Sequence, residues 1–434
     1  MKKRVLSIFA VLAVAVNMVG CTPTNTAAPA EVTEQIIAET TVESTEIVEM
    51  KTVEPPEDGW TVEQSSEGTQ ASIATYDNIS CEINIDSDTS VKDISKYTQL
   101  EYLLVINENE DKVKLSDTES IADLKKLKCL EIVNCTIQDL LFLTGLENLE
   151  RLTISNCIVE NEFDFDLKGL KNLEKVSIYK CGLSDISFLS NLQNLADLQI
   201  VENEVEDISS LKNLPNLNKL SLSNNNISNI DSLKNLPSLV YVGLSNNNIS
   251  DISALIDLKN ITNLYLDENN IADVSSLSKI RNLICVELSG NMITDISPIM
   301  DCTSLKELSI SRNDIKDYSV IGEMSWLNSL TIENSECTDF SFVSKLTELT
   351  RLKLANNNIN SIDFLSNLKL VYLCLDNNNI SDISALIDLN NRINVYPIIS
   401  IYGNPVSAED IEKLRSSIEK ENLMCVWYET PYQP

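Results

Sequence analysis

Histidine is absent from all 434 residues. That removes the commonest general base, the Ser-His and Cys-His nucleophile systems and the commonest metal ligand. No two cysteines are spaced as CxxC, so zinc-ribbon and dithiol redox motifs are missing too. Basic residues are scarce: 33 Lys and Arg face 65 Asp and Glu, a net charge of −32. Such a surface repels phosphate backbones and argues against a nucleic-acid partner. Aromatics make up only 5% of the chain, so a sugar-binding platform, which needs clustered rings, has few candidates. Past the first 21 residues no apolar run is long enough to span a bilayer. The Asp-Ile-Ser triplets lack the dense oxygen spacing and the Gly of a calcium loop. Carboxylates are plentiful, so composition leaves a paired-acid hydrolase open, but most of them fall where the pattern described next faces water. We therefore expect no catalysis and no cofactor.

What the chain has is a unit of 22 residues, clearest in 217–238 (LNKLSLSNNNISNIDSLKNLPS) and begun again at Leu239. Counting Leu217 as position 1, apolar residues fall at 1, 4 and 6 (Leu217, Leu220, Leu222), Asn225 at 9, and apolar residues again at 11, 14, 17 and 20 (Ile227, Ile230, Leu233, Leu236). The step of two between 4 and 6 is strand periodicity. The step of three afterwards suits 3-10 or tight helical turns. One unit is thus a short strand, a corner and a returning arc. It cannot bury its own apolar edge; stacked copies can, with the strands side by side in a parallel sheet. The corner amide at position 9 can serve backbone groups that have no ladder partner.

Position 1 recurs at Leu127, Leu149, Leu173, Leu195, Leu217, Leu239, Ile261, Leu283, Leu305, Leu327, Leu349 and Leu370, after a poorer copy at Leu100. The spacing is 22 except for 24 after Leu149 and 21 after Leu349. Position 9 is Asn203, Asn225, Asn247, Asn269, Asn291, Asn313, Asn357 and Asn378, with Cys135, Cys157, Cys181 and Ser335 as the exceptions. The cysteines cluster at the N-terminal end, as if that half had diverged as a block. The Asn-Ile-Ser triplets at Asn226, Asn248 and Asn379 are repeat consensus rather than glycosylation acceptors.

The pattern L-x-x-L-x-L-x-x-N-x-I, with its DIS-x-L continuation at 251–255, resembles the leucine-rich repeat of the internalin-type, 22-residue bacterial class, over roughly residues 100 to 405. The resemblance implies an α/β repeat solenoid, a horseshoe or arc with a parallel concave β-sheet, a convex side of short 3-10 turns, and a C-terminal helical cap. It also implies a monomer that binds a protein on the concave sheet.

The division expected is a signal segment at 1–21, a tether at 22–75, an N-terminal cap at 76–99, repeats at 100–405, and a C-terminal cap at 406–434 made of a helix and a strand. Lys2, Lys3 and Arg4 precede an apolar run at 5–16 and then Met18-Val19-Gly20-Cys21, which resembles a bacterial lipobox with Met in place of the usual Leu. In that family the cysteine, here Cys21, carries lipid, so the chain is read as exported and anchored to the outer side of the cell membrane. Residues 22–75 hold 11 acidic residues and one lysine and few large apolar ones; such a segment cannot fold and as a flexible coil would span roughly 40 Å. The strand 81–85 and the three-spaced Val91, Ile94 and Leu100 open the fold. Ser407 and Asp410 form a capping-box variant ahead of a helix, and 423–428 reads as a last strand. There is no wall-sorting motif and no immunoglobulin-like domain.

Alternation along the strand turns positions 3, 5 and 7 away from the core. On that face the candidate partner-binding residues are Tyr179, Lys219, Tyr241, Tyr265, Glu287, Glu333, Arg351, Lys353 and Tyr372, with Tyr241 and Tyr265 in adjacent repeats. Exposed Tyr and Arg are typical anchors of binding surfaces, although Tyr also favours strands. Cys129, Cys285 and Cys374 are placed on this same exposed face. Cys302 and Cys337 read as small core residues, and free thiols are preferred to a Cys135–Cys157 disulfide. Competing readings are a structural or carbohydrate-associated envelope scaffold and, further off, a carboxylate-dependent hydrolase.

Overall fold

The computed structural model describes residues 62–63, 71–76, 80–85, 88–109, 111–161, 167–390 and 398–419. Cys21, the signal segment, most of the tether and the strand expected at 423–428 lie outside them. Residues 59–434 form one compact unit.

That unit is a solenoid. Its main sheet has 17 strands, parallel from Ser80–Ile85 through Tyr102–Asn107, Cys129–Val133, Arg151–Ser155, Lys175–Tyr179, Asp197–Val201, Lys219–Ser221 and Tyr241–Gly243 and onward to Ile398–Ser400. The constant 22-residue step keeps each strand flush with the next: Lys219 pairs with Tyr241, Tyr241 with Asn263 and Asn263 with Cys285. Register survives where the step changes. Arg151 still pairs with Lys175 across 24 residues, and Arg351 with Tyr372 across 21. The added and missing residues are therefore absorbed outside the strands, where no core side chain changes face.

The apolar positions of the unit form one continuous core. Leu217, Leu220, Leu222, Ile227, Leu233 and Leu236 have no exposed surface, and Ile230 has 1%. The three-spaced arcs are 3-10 turns, such as Ser209–Asn213, Asp231–Asn235 and Ser253–Asp257. An Asp-x-Ser triplet, with Ile, Val, Tyr or Phe between, starts most of them. Asp207, Asp251, Asp273, Asp295, Asp317 and Asp339 each accept the backbone N–H of the serine two residues on, at 2.8 Å, an Asx-turn that orients the chain into the arc.

At the corner, each asparagine of position 9 is buried and ties two coils together. Asn247 Nδ2 donates to the carbonyls of Leu222 and Leu244, both at 3.0 Å, and its Oδ1 accepts the N–H of Ile227 at 3.0 Å. The bonds repeat at Asn225, Asn269, Asn291 and Asn313. Asn404 makes them for the last coil. The residue before each corner is left-handed throughout: Asn134, Asn156, Lys180, Glu202, Asn224, Asn246, Glu268, Gly290, Arg312, Asn334, Asn356 and Asn377 all have positive φ. Asparagine tolerates that conformation better than most residues, which accounts for the paired Asn-Asn at many corners.

Three features differ from the reading of the sequence. The cap starts earlier than residue 76: Ala71–Tyr76 pairs antiparallel with Ser80–Ile85, and Val62–Glu63 with Ala71–Tyr76, so stretches placed in the tether instead cover the free edge of the first parallel strand. A second, four-stranded parallel sheet runs beside the corners of the N-terminal coils, through Thr89–Ser90, Val113–Ser116, Cys135–Ile137 and Ile158–Val159; three-residue spacing concealed it. The last arc is a true α-helix, Ser384–Asn390, rather than a 3-10 turn. At the C-terminal end the helix Ala408–Glu419 packs on it. Ser407 Oγ accepts the N–H of Asp410 at 3.0 Å and donates to its carboxylate at 2.6 Å, and Leu414 is buried.

Candidate functional site: the open face of the sheet

Among the described residues, positions 3, 5 and 7 of successive coils line up into columns on the face opposite the core, and the register decides which of them meet. Lys175, Asp197, Lys219, Tyr241, Asn263, Cys285, Glu307, Ser329, Arg351 and Tyr372 form one column. Gly243, Tyr265, Glu287, Ser309, Thr331 and Lys353 run beside it.

The candidate residues fall into three groups. Tyr179 stands apart, its hydroxyl donating to Glu202 at 2.5 Å. Lys219, Tyr241, Tyr265 and Glu287 are contiguous. The two rings lie 5.2 Å apart, tilted by 37°, and the Lys219 ammonium sits 5.6 Å from the Tyr241 ring centre. Gly243 lies under the ring: a Cβ there would stand 3.4 Å from Tyr241 Cε1, an ordinary contact, and 3.3 Å from Ser221 Oγ, slightly tight. A glycine at position 5 beside two tyrosines was the sequence signal for this arrangement. The third group is Glu333, Arg351, Lys353 and Tyr372. Arg351 and Lys353 lie 5.6 and 5.8 Å from the Tyr372 ring centre, within the range of cation–π attraction.

The charges are unevenly matched. Asp197 lies between Lys175 at 3.2 Å and Lys219 at 3.8 Å. Two strands past Lys219, Asp267 is only 7% exposed and one of its oxygens accepts from Ser245 at 2.5 Å. Burial holds its carboxyl above the usual range against that hydrogen bond. Burial likewise pushes Glu287 up to about 7, with Asp267 and Glu307 adding to the rise and Ser309 and Lys353 opposing it. Glu333 is raised by burial too. Burial also lifts Tyr241 to about 12, so its hydroxyl stays protonated at neutral pH.

Alternation alone overstated the exposure of this face. Cys129 and Cys285 are 6% and 5% exposed, not open; Cys285 lies against Tyr265, with Sγ 3.8 Å from its hydroxyl. Cys374 is half-buried. Asp267, Ser289 and Ser311 are buried at position 7, because the strands of these coils end at position 5 and position 7 already lies in the corner under its neighbours. Conversely, Val240 and Ile284, at position 2 just ahead of their strands, are exposed and did not stand out in the sequence. All nine cysteines among the described residues are free.

Comparison with known proteins agrees with this geometry. The family model for leucine-rich repeats in two copies matches residues 215–257, 237–279 and 281–322. No curated relative matches the chain. An internalin of Listeria monocytogenes is 33% identical, with a TM-score of 0.57 over 65% of this chain and 81% of that one. A leucine-rich-repeat protein of Leptospira interrogans shares the fold at 22% identity, with a TM-score of 0.68 over 81% of this chain and 90% of that one. A plant peptide hormone receptor does so at 17% identity and a TM-score of 0.54, over 80% of this chain and 68% of that one. In repeat, register and corner alike, the chain belongs to the internalin-like leucine-rich-repeat proteins.

Proposed function

We propose that this protein is a non-catalytic binding scaffold that captures a partner protein on the open face of its sheet, and that it is exported and held at the cell membrane through lipid on Cys21. The observation that carries the first part is the division of labour within each coil. The recurring leucines and corner asparagines are buried and spent on the scaffold, while aromatic and charged side chains stand in register on a ladder of parallel strands. A preformed surface of this kind binds without an ordering cost. The second part is supported by the basic, apolar and Gly-Cys segments of 1–21 and the acidic stretch that follows.

Pull-down with the full-length protein from envelope and host extracts tests the binding. Tyr241→Ala/Tyr265→Ala should weaken capture by about tenfold or more, as expected for truncated aromatic anchors. Unchanged capture places the anchor elsewhere. Cys21→Ala should release the protein into the medium, whereas membrane retention of that variant rules out lipid on Cys21.

A further inference from the structure

We propose that the central part of the open face receives a lysine or arginine side chain of the partner protein, seated between the Tyr241–Tyr265 rings and the carboxylates of Asp267 and Glu287. The inference rests on the reading of this face as a protein-binding surface and specifies the chemistry of what lands there.

Two independent observations meet at this point. One is the tilted ring pair beside Gly243, which offers π-electron density to a cation. The other is a shortage of positive charge. Asp267 is 93% buried with one hydrogen bond from Ser245, and Glu287 pairs in register with Tyr265 on the adjoining strand. Neither carboxylate has a base within ion-pair distance among the described residues; Arg312 acts on Asp267 and Lys353 on Glu287 only from longer range. A carboxylate drawn out of water without a paired base is costly; Asp267 is buried and Glu287 half-buried, and burial holds both above their ordinary range.

The chain's own bases near this point are engaged elsewhere. Lys219 lies beside Asp197 and the far side of the Tyr241 ring. Arg312 pairs with Glu268, reaching over Gly290, where a side chain would strike the glutamate. Lys353 lies against Tyr372. The seat thus has aromatic and acidic walls and lacks the cation. A cationic peptide segment fits this combination. A neutral sugar would use the rings and leave the carboxylates unmatched.

The test is selection of displayed random linear peptides on the full-length protein, followed by measurement of binding by the enriched peptides. Enrichment of Lys or Arg at one peptide position is expected. Asp267→Asn/Glu287→Gln, which keeps the shape and the serine hydrogen bonds, should weaken binding by about tenfold, as should replacing the peptide's base with Gln. A melting temperature no lower than the parent's establishes that the fold of the variant is intact. Asn263→Trp, which adds neutral bulk beside Tyr241, separates the two levels of the argument. Peptides blocked by it but carrying no base, and indifferent to Asp267→Asn/Glu287→Gln, overturn the cation seat and leave the binding face standing. Peptides indifferent to both Asn263→Trp and Tyr241→Ala/Tyr265→Ala bind elsewhere and overturn the face itself. Failure to enrich any face-directed peptide overturns the seat.

Discussion

At the corner after each strand, the coils around Cys135, Cys157 and Cys181 meet the same demand as the coils from Asn203 onward: backbone groups turn inward where the ladder has ended. The asparagine coils meet it with one side chain. Asn247 satisfies two carbonyls and an N–H across two coils, and the backbone beyond it needs no strand. The cysteine coils place sulfur in the same geometry. Cys157 Sγ lies 3.5 Å from the Ile132 carbonyl and accepts from the Cys135 N–H at 3.5 Å. A thiol is a weak donor and a weak acceptor; past Cys135 and Cys157 the backbone pairs directly instead, in the second sheet ending at Ile158–Val159, while past Cys181 the Leu183 N–H is already served by Asn203 Oδ1. Five-residue strands such as Arg151–Ser155 and Lys175–Tyr179 accompany this mode, against three residues in Lys219–Ser221 and its successors. One role is thus filled by side-chain amides in one region and largely by main chain in the other. The open face differs in parallel: Asp197 near the cysteine coils sits among lysines, while Asp267 and Glu287 in the asparagine coils are short of cations.

This contrast can be broken by substitution. The largest effect is expected for Asn247→Ala, which strands the Ile227 N–H in a dry core and leaves the Leu222 and Leu244 carbonyls with one donor each, from Asn225 and Asn269. It should cost about 2–4 kcal/mol in urea unfolding, since the one orphaned buried N–H carries a desolvation penalty of roughly 1–3 kcal/mol and the two weakened carbonyls add to it. The next concerns the face. A carboxyl raised from 4.5 to about 7 in the folded state binds more protons folded than unfolded, so stability falls as pH rises from about 4.5 to about 7. Glu287→Gln should remove that loss, stabilising the protein by about 1–3 kcal/mol above pH 7 and by little at pH 4. Melting temperatures of variant and parent that run parallel across this range would refute the uncompensated charge. The smallest effect is expected for Cys157→Ala, about 1–2 kcal/mol, a lost sulfur contact and a small void, because the neighbouring main chain is already paired. If it costs as much as Asn247→Ala, the two corner modes are not distinct.

The repeating part was legible because its cause is local. Leu217, Leu220, Leu222 and Asn225 declare strand, core and corner from spacing alone, and the 22-residue step implies the register that pairs Lys219 with Tyr241. The Ser407–Asp410 cap was readable for the same reason. The second sheet was not, since Cys135–Ile137 is a strand only by virtue of Val113–Ser116 and Ile158–Val159 beside it.

For the candidate site, the sequence by itself determined which side chains share a face, because alternation and a constant repeat length settle that. It could also set Tyr241 and Tyr265 in adjoining coils. Which of those side chains are open, covered or electrostatically unmatched was decided only by the tertiary structure. Cys285 is covered by residues of other coils, and Asp267 is held by Ser245, 22 residues earlier. Burial and charge balance depend on neighbours one full turn of the solenoid away, and spacing along a single unit does not contain them.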